Sequence, residues 1–254
     1  MILALVFGLI FGSFLNVVIY RLKTGEPLGF SRSFCPECRA KLKWFDLIPL
    51  FSFIFLRGRC RYCQKKISWQ YPIVEILSGL IWVGAFYVTP PDKGGLGGVL
   101  NFVYYLFIFS ALLVIAVYDF KWKIIPDKII YPAIAVALIY NLFNLPLDKG
   151  GLGGVLLTAA TAFLFFFLFF YFSKGKAMGL GDAKLAFLIG LFLGPWLSLA
   201  AFTSAFVIGA VFGIMLIASR RRTLKSIIAF GPFLVAGAAV AFFFSDFVNS
   251  LFIF

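Results

Sequence analysis

The chain has 254 residues, and its means of doing chemistry are ten carboxylates, four cysteines and no histidine. Without histidine, Ser-His and Cys-His nucleophile systems are excluded, as are the histidine-containing zinc protease motifs. Hydrolysis would fall to carboxylates, lysine, serine or a metal held by cysteine. Four carboxylates border long apolar runs: Glu75, Asp119, Asp127 and Asp182. Asp119 closes the run LLVIAVYD, and Asp182 follows Gly179-Leu180-Gly181 at the opening of another. Carboxylates at the edge of an apolar segment are costly unless they face a bundle or water, which makes them functional candidates.

Two facing aspartates do not both ionise readily, so one keeps a proton near neutral pH. The ionised member can take a proton from water while the protonated member polarises a scissile carbonyl. That is aspartic protease chemistry, and the glycines before Asp182 would let a substrate strand approach the backbone. The residues alone leave a second reading equally open, in which these are boundary aspartates that cap helices or pair with Lys121, Lys123 or Lys184. Glu75, one turn after Tyr71-Pro72, is either a helix-dipole partner or a site residue. Asn16 either hydrogen-bonds across helices or faces the same cavity.

The cysteines form two pairs, Cys35-Pro-Glu-Cys38 and Cys60-Arg-Tyr-Cys63, with 21 residues between them. Two such knuckles match a four-thiolate tetrahedral zinc site, which has no open position and is therefore structural. Arg39, Arg59 and Arg61 would offset the thiolate charge.

The elements that must position these groups are membrane helices. The chain is 63% apolar and 13% charged, with a mean hydropathy of +1.03, far from a soluble average. Apolar runs long enough to span predict about eight transmembrane helices, near 1–20, 72–89, 100–118, 128–145, 153–172, 183–197, 198–218 and 227–245. The run 183–218 is too long for one span, and Gly194-Pro195 supplies a break. Of 23 Lys and Arg, 21 fall in 21–71, 119–128, 173–184 and 219–226, leaving Lys93 and Lys149 on the other side. The positive-inside rule then puts the N-terminus outside and both aspartates at the cytoplasmic edge. The charge of +13 is read as topology, with no nucleic-acid partner, and Arg220–Arg222 as an anchor. The first segment reads as a retained span, because no small-residue cleavage site follows it.

The fold class expected is an all-α polytopic membrane protein with a cytoplasmic four-cysteine zinc loop. Its parts are a first transmembrane helix (1–20), the zinc loop (21–71) and a transmembrane bundle (72–254). DKGGLGGVL occurs at 92–100 and again at 148–156. It lacks the basic or hydroxyl residue of a phosphate loop and reads as a duplicated connector.

These motifs converge on a family. The sequence resembles the bacterial prepilin peptidases (type 4 leader peptidases), in the GxGD group of intramembrane aspartic proteases. The resemblance is carried by GSFLNVVIYRL at 12–22 and by the cysteine-bearing stretch 35–75. DFKWKIIPD at 119–127 and GLGDAKL at 179–185 complete it. It implies Asp119 and Asp182 as the catalytic pair. It implies as substrates the precursors of type IV pilins or type II secretion pseudopilins, cleaved after glycine at the cytoplasmic face of the bacterial inner membrane. It implies also N-methylation of the new N-terminus by S-adenosylmethionine. No nucleotide-type motif locates the donor, and Glu75 and the loop are the candidates.

Three alternatives remain. A peptidase without methyl transfer is disfavoured by the long cysteine loop. A proton-coupled transporter would place its carboxylates near the bilayer midplane and repeat whole halves; a zinc-dependent scaffold would leave the paired aspartates idle.

Overall fold

A computed structural model describes residues 1–27, 33–90, 95–144, 150–175, 178–219, 228–246 and 248. The described residues form α1 (Ile2–Thr24), a 3-10 turn (Trp44–Leu47), α2 (Phe51–Phe55), α3 (Gln70–Val88) and α4 (Gly95–Trp122). These are followed by α5 (Asp127–Asn144), α6 (Gly151–Ser173), α7 (Leu180–Leu193), α8 (Pro195–Ala218) and α9 (Gly231–Phe243). Two isolated bridges in the cysteine loop are the only β pairing among them. The eight long helices match the eight expected segments one for one. Five of them, α1, α3, α4, α6 and α8, are long and apolar enough to cross a membrane. At about 1.5 Å per residue, the 14 residues of α7 and 13 of α9 fall short of a full crossing. The Arg220–Arg222 stretch lies outside the described residues, as do the first residues of both repeat copies. Each copy starts a helix at its fourth residue, Gly95 or Gly151, with positive φ at both.

The chain divides into two compact units, Met1–Val114 and Ile115–Phe254. In the first, α1 and α3 run antiparallel in near-backbone contact. A Cβ on Gly12 would lie 2.7 Å from Glu75 Cα, and one on Gly8 equally close to Gly79 Cα. Small residues four apart allow such an approach between apolar helices, where lipid provides no hydrophobic drive. One further turn along the seam, Asn16 Nδ2 donates to the Tyr71 carbonyl at 3.1 Å and its Oδ1 accepts from Gln70 Nε2 at 3.0 Å. Asn16 is thus a cross-helix tie, the first of the two readings open to it.

In the second unit α7 is the buried centre: Leu185, Leu188, Ile189 and Leu191 are fully buried. Gly190 lets α6 approach, since a Cβ there would sit 2.7 Å from Ala159 Cα. Asn141 of α5 donates to the Leu191 carbonyl at 2.9 Å. The expected break at Gly194-Pro195 is present. Gly194 takes φ 76°, and Pro195 opens α8, where its missing N–H costs nothing.

Candidate active site and cysteine knuckles

Asp119 sits near the C-terminal end of α4 and Asp182 in the first turn of α7, both in the second unit and both buried. Their segments are packed together. Gly181 lies against Ile125, where a Cβ would approach the isoleucine Cβ to 3.0 Å. Lys184 Nζ meets Asp127 Oδ1 at 2.6 Å and lies 4.8 Å over the Tyr131 ring.

Each carboxylate is held in the same manner. Asp182 Oδ2 accepts the Gly179 N–H at 3.0 Å, and its own N–H donates to the Gly179 carbonyl at 3.1 Å. Asp119 Oδ2 accepts the Gly231 N–H at 3.0 Å, at the start of α9. Helix N-termini carry unpaired donors and partial positive charge, which suits a carboxylate. Neither aspartate forms an ion pair, and neither Oδ1 accepts a hydrogen bond, among the described residues. Of the boundary-residue reading, the capping part is therefore seen and the lysine pairing is not: Lys184 goes to Asp127.

Two details differ from expectation. The space left by Gly181 is filled by Ile125 rather than left for an incoming strand. Gly231 joins the candidate site through its hydrogen bond to Asp119, and the sequence reading missed it. Its only local mark is Pro232, whose ring suits the first turn of a helix.

Glu75 belongs to the first unit. It is buried, and its Oε2 accepts the Leu50 N–H at 2.9 Å. On the same helix, Ser78 Oγ and Gln70 Oε1 are buried and have no hydrogen-bond partner among the described residues.

The four cysteine sulfurs all lie within 4.8 Å of one another, against about 3.8 Å for a tetrahedral metal with bonds near 2.3 Å. The group could hold one metal ion. The two knuckles are copies of each other. Cys35 and Cys60 each accept from the residue four ahead (Arg39, Gln64) and donate to the carbonyl five ahead (Ala40, Lys65). Arg39 and Gln64 share positive φ, and bridges Phe34–Lys41 and Arg59–Lys66 close the loops. Burial works against ionisation of Cys60, but the amides of Cys63 and Tyr62 aimed at its sulfur bring its pKa down to about 7. Arg61 braces the second knuckle against Asp46 at 2.8 Å.

The class defined by these observations is a multi-pass helical membrane protein with two buried carboxylates at helix ends and a cluster of four cysteines that could hold a metal ion. Two family descriptions match it: the bacterial peptidase A24 N-terminal domain over residues 6–89, and the type IV leader peptidase family over residues 106–214. Among curated proteins, a prepilin leader peptidase/N-methyltransferase of Dickeya chrysanthemi is 34% identical, covering 93% of this chain and 89% of its own. One of Bacillus subtilis (strain 168) is 32% identical, covering 98% and 96%. One of Klebsiella pneumoniae is 37% identical over 74% of this chain and 82% of its own. No solved structure matches. The chain belongs to the type IV leader peptidase family and is an enzyme, a leader peptidase with N-methyltransferase activity.

Proposed function

We propose that the protein cleaves the basic leader from type IV prepilins or type II secretion pseudopilins after glycine, with Asp119 and Asp182 as the catalytic pair. The observation that carries this reading is their matched geometry, with Oδ2 held by a backbone amide and Oδ1 without a partner among the described residues in each. The ionised carboxylate takes a proton from water as the oxygen attacks the scissile carbonyl carbon. The protonated one passes its proton to the carbonyl oxygen. The resulting diol collapses, the C–N bond breaks, and the amine leaves with the proton taken from water. The diol hydroxyl returns a proton to the second carboxyl, which restores the pair.

The distribution of basic residues supports a loop, both aspartates and a reaction at the cytoplasmic face of the inner membrane, with the N-terminus outside. There the leader of a precursor would remain while its apolar segment lies in the bilayer. In that reducing compartment the four cysteines hold zinc, which stabilises the loop. S-adenosylmethionine supplies the methyl group for the new α-amino nitrogen. Glu75 is the residue we place beside it, because it is a buried carboxylate on a helix that also carries buried polar atoms of Ser78 and Gln70 with no partner among the described residues.

The test is incubation of the purified protein with a prepilin and S-adenosylmethionine, read by mass spectrometry. A trimmed product one methyl group heavier is expected. A trimmed, unmethylated product would remove the donor assignment, and no trimming of a matched substrate would overturn the peptidase reading for this pair.

A further inference from the structure

The cysteine loop exposes more apolar surface than a water-facing segment of its size has reason to. Trp44 is 77% exposed, Ile54 69%, Phe55 81% and Trp69 70%. Phe51 is also exposed, and within 44–55 the only charged side chain is Asp46, which is paired with Arg61.

The depth of this segment says what faces it. With 19 residues, α3 is about 28 Å long at 1.5 Å per residue, so it needs its whole length to cross the hydrocarbon layer. Glu75 lies five residues inside its start, about 7 Å along the axis. Leu50 reaches that depth, because its N–H donates to Glu75 Oε2 at 2.9 Å. A tight turn makes this possible: Leu50 takes φ 60° and ψ −49°, and Phe51 N–H bonds back to the Pro49 carbonyl. This γ-turn with positive φ is a rare and strained form. Beyond it, α2 carries Phe51, Ile54 and Phe55 outward at the membrane edge. Phe53 turns inward onto Trp69, ring centroids 5.0 Å apart, at the mouth of α3. Lys41 and Lys43 precede the segment and Arg57 and Arg59 follow it, all four exposed. Aromatic rings at the boundary with basic residues around them are the pattern of a segment lying in the headgroup layer of an anionic leaflet.

We propose that residues 44–55 are an interfacial foot, with Phe51, Ile54 and Phe55 inserted among the lipid acyl chains of the leaflet that bears the loop. The zinc knuckles then stand on the membrane through this foot as well as through α1 and α3.

The full-length protein in phospholipid nanodiscs tests this, with photoreactive benzoylphenylalanine in place of Ile54, of Phe55, and, as an aqueous control, of Glu37. Each variant is first checked for unchanged metal content, and the same substitution at Phe169 on α6 serves as a lipid-exposed reference. After irradiation, intact-mass analysis should show one phospholipid added at positions 54, 55 and 169 and none at 37. Lipid adducts at 169 but none at 54 or 55 would overturn the proposal. So would adducts at 54 and 55 that shift from lipid to an added prepilin, because the surface would then belong to substrate. Neither result depends on peptidase activity.

Discussion

The backbone amide of Gly231 donates to Asp119 Oδ2 at 3.0 Å across 112 residues of sequence. A Cβ at Gly231 would fall 2.6 Å from that same oxygen. The position is closed to any side chain, so Gly231→Ala must displace the carboxylate or the start of α9. Losing a hydrogen bond to a charged group costs about 1.5–3 kcal/mol, so cleavage should fall roughly 10- to 100-fold. Gly209→Ala, whose Cβ would meet ring carbons at an ordinary 3.5 Å, should leave cleavage near wild type. Methylation of an already trimmed pilin reports whether each variant is folded. Wild-type cleavage kinetics in Gly231→Ala would refute the clamp.

Asp119→Asn and Asp182→Asn should each abolish cleavage without loss of protein from the membrane fraction. The pair acts as a unit, so the double variant should be no worse than either single one. Substantial activity in either single variant would sink the paired-carboxylate mechanism. Single-turnover cleavage of a labelled prepilin is the measurement.

The ion pair between Lys184 and Asp127 joins the starts of α7 and α5 but lies toward water, with the Asp127 side chain 61% exposed. Exposed pairs contribute little. Asp127→Asn should therefore keep cleavage within about tenfold of wild type, and Lys184→Met should add little on top of it. A complete loss in Asp127→Asn would instead give that carboxylate a direct part in the reaction.

The cysteine cluster should bind one zinc per chain, measured by elemental analysis of purified protein. Cys60→Ser should lower that content, the melting temperature and the yield, while leaving insertion intact. If zinc, yield, cleavage and methylation all stayed at wild-type values, the structural-metal reading would fail.

At the α1–α3 seam, Gly12→Val should be strongly destabilising, because the new side chain meets Glu75 Cα at 2.7 Å and backbone has nowhere to move. Gly97→Val is the control, since nothing lies within 4 Å of it. Thermal denaturation in detergent distinguishes the two, and equal melting temperatures would refute the tight seam.

Much of this was legible from local pattern. Apolar runs predict helices because an unpaired backbone is intolerable in lipid, and all eight expected segments are helical. Gly194-Pro195 marks the α7–α8 break because proline cannot extend the preceding ladder. Two CxxC motifs predict a four-sulfur cluster because each knuckle is built within eight residues. Asp119 and Asp182 stand out because a carboxylate at the end of an apolar run is expensive. What only the tertiary structure decided are relations between distant residues that no local pattern encodes. The Gly231 amide reaches Asp119 because α9 packs within the second unit, and glycine's role there is the absence of a side chain. Ile125 fills the space at Gly181, and Lys184 chooses Asp127 over three other carboxylates at membrane edges. The Leu50 amide reaches Glu75 because a strained turn folds the loop back down α3. Each depends on which helix faces are brought together, a choice made by packing between elements and not by the composition of any one of them.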